Sequence, residues 1–164
     1  MIIDSSLIEG NSAAQLFVDT AKKYNCTIIR KASPSEDMFQ HWDFLISNKE
    51  GKLKVDVKAH KHEYRNGPLL KDWFYIEWKN VRGENGWIDG MADLIAFQYN
   101  KYFYLFRRNS LQTFAKANTN FSKVATRSLD CKYCIYTRKD RKDQISMVKI
   151  SDLVKIEYPS IWTI

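Results

Sequence analysis

HWDFLISNKEGKLKVDVKAHK, His41 to Lys61, decides how this chain is read. Two strand-like runs, His41–Ser47 and Lys52–His60, flank a polar link that contains Asn48 and Gly51. Alternating apolar residues on both sides of such turn chemistry predict a β-hairpin. In Lys-Val-Asp-Val-Lys, Val55 and Val57 face one side of a strand, and Asp56 and Lys58 face the other. Asp43 sits in the preceding run between apolar neighbours, so a closed hairpin lets Asp43 and Asp56 meet. Two close carboxylates repel each other and shift each other's pKa. A divalent cation removes that cost, and Mg²⁺ is typically held by one or two carboxylates with waters and substrate oxygens around it. Lys58 would then stand beside an attacking water, where an ammonium can orient the nucleophile or hold developing charge. An Asp-x-Lys pair is also an ordinary feature of a solvated hairpin, so the decision falls to its surroundings.

Those surroundings are a helix, then strands, then further helices. Ala14, Phe17, Val18 and Ala21 recur at helical spacing over 11–24, with Asn11 or Ser12 as the cap. A short strand, CTIIRKA, and a loop, SPSEDMFQ, precede the hairpin. DWFYIEWKN reads as a strand, GENGWIDG as a turn, and ADLIAFQY with KYFYLFRR as a hairpin about Asn100. SLQTFAKA predicts a short helix, KYCIYTR and QISMVKI a last hairpin, and SDLVKIE a capped helix. The order gives an α+β (mixed α/β) fold. The length of 164 residues suits a single domain, 1–164.

This arrangement resembles the PD-(D/E)xK nuclease superfamily, which includes restriction endonucleases, Holliday-junction resolvases and phage recombination nucleases. The matching residues are Asp43 in HWDFLI and Asp56-Val57-Lys58. The resemblance implies a restriction-endonuclease-like fold, a central mixed sheet flanked by helices. It implies that Asp43, Asp56 and the Val57 backbone carbonyl bind Mg²⁺ or Mn²⁺, and that Lys58 serves the attacking water. The family often has Pro before its first Asp, where this chain has Trp42. Its helix-one segment, Gly-x-x-Ala-Glu, matches GNSAAQ with Gln15 at the Glu position, which leaves Gln15 and the nearby Glu9 as candidates for a third ligand. Glu77 is another, on the next strand, expected to adjoin that of Asp56; Asp89 and Asp93 are weaker.

Charge agrees with such a partner. Lys plus Arg number 26 against 19 Asp plus Glu, a net charge of +7, which suits a polyanion. Lys61, His62 and Arg65 follow the motif, and Arg138, Lys139, Arg141 and Lys142 crowd one turn; all could meet phosphates. Arg107 and Arg108 could add to that surface. Trp73, Trp78, Trp87 and the run Tyr102–Phe106 could stack bases, although core packing accounts for them better. Cys131 and Cys134 form a lone CxxC without the second pair a structural zinc needs. Three cysteines, no apolar run of membrane-spanning length and no basic leader point to a cytoplasmic protein. The expected function is Mg²⁺-dependent hydrolysis of nucleic acid, DNA before RNA, by a structure-dependent endonuclease such as a Holliday-junction resolvase. A resolvase needs two active sites, hence a homodimer. The alternative is a non-catalytic nucleic-acid-binding module on a decayed nuclease fold.

Overall fold

The computed structural model describes residues 5–164. Its elements, in chain order, are α1 (Ser5–Lys23), β1 (Thr27–Lys31), α2 (Pro34–Gln40), β2 (Phe44–Asn48), β3 (Gly51–Lys58), β4 (Trp73–Lys79), β5 (Leu94–Tyr99), β6 (Tyr102–Arg107), α3 (Arg108–Asn118), β7 (Asn120–Val124), β8 (Cys134–Ile135), β9 (Gln144–Lys149), α4 (Ile150–Ile156) and β10 (Ser160–Thr163). The mixed α+β class expected from the pattern is present. The chain forms two compact units. One comprises the chain up to Lys61, Met91–Arg107 and Pro159–Ile164; the other comprises His62–Gly90 and Arg108–Tyr158.

The first unit is built on a six-stranded sheet of order β1-β2-β3-β5-β6-β10. β3 and β5 run parallel, and every other neighbouring pair is antiparallel. The β2–β3 hairpin pairs Phe44 with Val55 and Asn48 with Gly51. Asn48 Oδ1 accepts the Glu50 N–H at 2.8 Å, and Gly51 takes φ +116, which a residue with a Cβ resists. The hairpin about Asn100 also forms: Tyr99 pairs with Tyr102, and Asn100 takes the left-handed conformation at φ 53.

Alternation then sorts the sheet's faces. Phe44, Ile46, Val55, Ala96, Phe103 and Leu105 pack in one cluster with Phe17 and Ala21 of α1. Phe17 is wholly buried, with Phe44, Phe103 and Trp162 rings 5.9, 5.5 and 5.8 Å from its own. Fully burying one such side chain is worth about 1.5–3 kcal/mol, so these aromatic contacts fix α1 on the Val55 face. Asp56 and Lys58 consequently project from the opposite face.

Several boundaries differ from the sequence expectation. α1 is described from Ser5, so Asn11 and Ser12 lie inside the helix and do not cap it. SPSEDMFQ is not a loop. Ser33 accepts the Glu36 N–H, the Glu36 carboxylate accepts the Ser33 N–H, and Pro34 takes the first turn. This capping box starts α2. β10 was not expected; it pairs with β6 and is anchored by the Thr163 N–H donating to Tyr24 Oη at 2.7 Å.

In the second unit β4 pairs with β9 and β7 with β8. The expected last hairpin is reduced to the isolated bridge Tyr136–Ile145, because β8 pairs in parallel with β7. Trp78 is buried and its Nε1–H donates to Ser146 Oγ at 2.8 Å, so the aromatics of β4 serve packing. Gly86 approaches β4 so closely that a Cβ there would lie 2.2 Å from the Glu77 carbonyl oxygen. No helix among the described residues is long and apolar enough to cross a membrane.

Candidate active site on the central hairpin

The Phe44–Val55 register sets Asp43 opposite Asp56, one step beyond the last ladder pair. The Asp43 N–H donates to the Val55 carbonyl at 2.8 Å, which holds the chain in that register. Asp43 Oδ2 reaches across and accepts the Val57 N–H at 2.6 Å. The Asp43 carboxylate also lies within hydrogen-bonding reach of Asp56. Lys58 Nζ is 2.8 Å from Asp56 Oδ2. The three side chains singled out by the motif are thus one cluster.

Its electrostatics are unusual. Asp56 is 4% exposed. Burial pushes its carboxyl up to about 8; Lys58 opposes the shift and Asp43 adds to it. At neutral pH the pair therefore keeps a proton on Asp56. Asp56 Oδ2 is ion-paired to Lys58 and has no further well-oriented hydrogen bond among the described residues. A carboxylate oxygen has more than one acceptor site, so a hard cation could share it with the ammonium. The donor set fits a divalent ion of the Mg²⁺ class, which takes few protein oxygens and keeps several waters. Among the described residues, no three His, Cys, Asp or Glu side chains converge as a ready metal cage.

The candidates for a third ligand fare differently. Gln15 is exposed, its Nε2 donating to Asp19 at 3.3 Å, on a helix packed against the face away from Asp56. Glu9 is half-buried near the start of the same helix. Glu77 does not adjoin the Asp56 strand: β3 is flanked by β2 and β5, and β4 pairs with β9. The long excursion from Lys58 to Leu94 lets β5, not β4, take the place beside β3. Asp93 ties the sheet together, with Oδ2 accepting the Lys54 N–H at 2.7 Å. Asp89 bonds Gln112 and pairs with Lys116. Asp37, which sequence patterning leaves in a loop, carries a charge that interacts with both Asp43 and Lys58. The Ser33-x-x-Glu36 box was the signal for the helix that holds it.

The basic candidates divide into exposed and committed groups. Lys61, Arg65, Lys139, Arg141 and Lys142 are exposed. The His62 Nδ1–H donates to the Gly67 carbonyl at 2.6 Å, closing its own loop. Arg108 donates to the Ile88 carbonyl at 2.9 Å. Arg138 Nε donates to Asp143 Oδ2 at 2.6 Å, and Asp143 is fully buried. Removing Arg138 would strand that acid, although water could replace part of the half-exposed guanidinium. Arg138→Ala should therefore destabilise the protein by about 1–3 kcal/mol, a melting shift of roughly 2–4 °C per kcal/mol. Unchanged thermal unfolding would show that the ion pair is dispensable.

The lone CxxC is inward-facing. Cys131 and Cys134 are free, buried thiols that donate to the Ser128 and Asp130 carbonyls. Burial, with Cys134 nearby, pushes the Cys131 thiol up to about 12, far from a reactive thiolate. Compared with family models, curated proteins and solved structures, the chain has no significant match.

Proposed function

We propose that this chain is a divalent-cation-dependent nuclease of the PD-(D/E)xK type, with a restriction-endonuclease-like sheet. The observation that carries the reading is the buried Asp43–Asp56 pair joined to Lys58 at 2.8 Å, at the end of the central hairpin. A buried acid pair with a lysine there has no evident packing purpose, since replacing such a polar group by apolar residues is often neutral or stabilising. A cation held by these carboxylates, with the Val57 carbonyl as a further donor, would neutralise their charge, polarise the phosphodiester and ease deprotonation of the attacking water. Lys58, already paired to a carboxylate, acts as a donor. Its ammonium holds the charge that grows on the phosphoryl oxygens as the water oxygen bonds to phosphorus and the sugar oxygen leaves. Asp43 holds Val57 in place through its N–H and so keeps the floor of the site rigid.

DNA is the proposed substrate, cut as a structure-dependent endonuclease would cut it; a Holliday-junction resolvase acting as a homodimer is the specific form. The net charge of +7 and the exposed Lys139, Arg141 and Lys142 suit such a partner. The test is incubation with single-stranded, duplex, flap and four-way-junction DNA and with RNA, with Mn²⁺ or Mg²⁺ and with EDTA. Cleavage should require the cation, and Lys58→Ala should slow it about 10²–10³-fold. Cleavage in excess EDTA, or full activity of Lys58→Ala, would overturn the assignment. Nucleic-acid binding without cleavage of any substrate would favour the non-catalytic alternative.

A further inference from the structure

Strand alternation divides the aromatic run Tyr102–Phe106. Phe103 and Leu105 belong to the cluster that packs α1, and Phe103 is wholly buried there. Tyr102 and Tyr104 therefore fall on the other face, the face of Asp56 and Lys58. The register places them on it. Lys58 pairs with Phe97 and Phe97 with Tyr104, so these three form one row across β3, β5 and β6. Tyr99 and Tyr102 are paired in the next row. His60, two residues beyond Lys58, reaches that row, its ring 4.8 Å from that of Tyr99. Strands stand about 5 Å apart and a two-residue step covers about 6.6 Å, so the tyrosines begin within one or two such steps of Lys58.

The rings form a chain. Tyr99 and Tyr104 lie 6.1 Å apart and Tyr102 and Tyr104 6.5 Å, both edge to face, a geometry aromatic pairs prefer. The Asn100 N–H donates to His60 Nδ1 at 3.2 Å, which ties that ring to the turn between β5 and β6. Beside Asp56 and Lys58 the face is closed, with Ile95 and Phe97 buried; towards the turn it opens, with His60, Tyr99 and Tyr104 half-buried and Tyr102 40% exposed. The charge there has one sign. No acid occurs from Leu94 to Arg107, Lys101 is exposed in the turn, and Lys61 is exposed next to His60. Aromatic side chains bordered by cations stack bases while the cations meet the backbone. A duplex keeps its base faces stacked on one another, so the strand that uses such a surface is unpaired.

We propose that Tyr99, Tyr102 and Tyr104, with His60, are a stacking platform for unpaired bases of a DNA strand whose backbone continues onto the Asp43–Asp56–Lys58 cluster. The inference rests on the nucleic-acid partner of the nuclease reading and narrows it, because the strand beside the cut is then single. Flaps and single strands fit this surface directly; at a four-way junction it would take bases opened at the crossover.

Binding titrations in EDTA test it, with two DNA strands of equal length: oligothymidylate, and the same backbone carrying abasic sites. Their phosphates are alike, so the difference in affinity reads the bases. The parent should bind oligothymidylate more tightly. Tyr102→Ala should bind it about 5–150-fold more weakly. Its affinity for the abasic strand and its salt dependence should stay as in the parent, because no phosphate contact is lost. Tyr102→Phe keeps the π-face and should bind like the parent. Irradiating the parent with an iodouracil-substituted strand and mapping the peptides should find crosslinks at these rings, a readout that needs no variant to fold. Equal affinity of the parent for the two strands, parent-like binding of oligothymidylate by Tyr102→Ala, or crosslinks confined to other residues, would overturn the platform and leave the nucleic-acid partner standing. A parent that binds neither strand, nor duplex DNA, would overturn that partner, and this inference with it.

Discussion

Asp56→Asn is expected to abolish cleavage in Mg²⁺ while binding nucleic acid in EDTA at least as tightly as the parent. The two halves have different causes. Asparagine keeps the shape of the side chain and loses the charge that would hold a cation. Loss of an outer partner of a metal already costs about 10–100-fold, so loss of this direct ligand should cost at least about a hundredfold. Binding without metal depends on repulsion between the site's acids and a backbone phosphate. Burial holds the Asp56 carboxyl near 8, so at pH 7 the parent carries little charge there. Mutant and parent should accordingly bind alike at pH 7. Above pH 8 the parent ionises at a poorly screened floor, and the mutant should bind more tightly. Gel-shift titrations in EDTA at pH 7 and pH 9, beside a cleavage assay on the same substrate, measure both effects. A folded mutant that loses binding and cleavage together would place Asp56 in a structural role.

The expectation that Asp43 and Asp56 would meet rested on local rules, and local rules were sufficient. A hairpin closed by Asn48 and Gly51 leaves little freedom of register, and side-chain alternation then settles which residues share a face. The same logic recovered the hairpin about Asn100. What the sequence hid was non-local. Nothing in DWFYIEWKN says that its partner is Gln144–Lys149, some seventy residues on, so Glu77 was expected beside Asp56 when β5 occupies that place. Edge strand β10 has four residues and is defined by pairing with β6 more than by its own composition. α2 was legible in principle, because Ser33, Pro34 and Glu36 form a helix-start signature, but a seven-residue helix lacks the apolar repeat that makes longer helices obvious. Arg138 looked like a free basic residue, because its buried acceptor, Asp143, stands in the same charged turn and resembles a solvated acid.

Asp56→Asn should also remove the pH dependence of stability contributed by this site. A carboxyl whose folded pKa lies near 8, against about 4 in the unfolded chain, takes up a proton on folding between those values. Its contribution is fully present below pH 4 and is lost as pH rises through 8, because the folded state must then ionise a buried acid. The slope for one proton is at most about 1.4 kcal/mol per pH unit, and each kcal/mol is worth roughly 2–4 °C in a chain of this size. In EDTA the parent should melt several degrees lower at pH 8.5 than at pH 5.5 from this source, and Asp56→Asn should lack that decline. The amide can still donate to Asp43, so the mutant keeps a hydrogen bond without the ionisation cost. Saturating Mn²⁺ should reverse the ranking at pH 8.5. An ion bound only by the folded parent adds about 2.7 kcal/mol at a hundred times its dissociation constant, and the mutant has no such gain. Melting curves of both proteins at the two pH values, with EDTA and with Mn²⁺, decide the matter. If the parent and Asp56→Asn decline in parallel with pH and respond equally to Mn²⁺, then Asp56 neither stores the proton nor holds the ion.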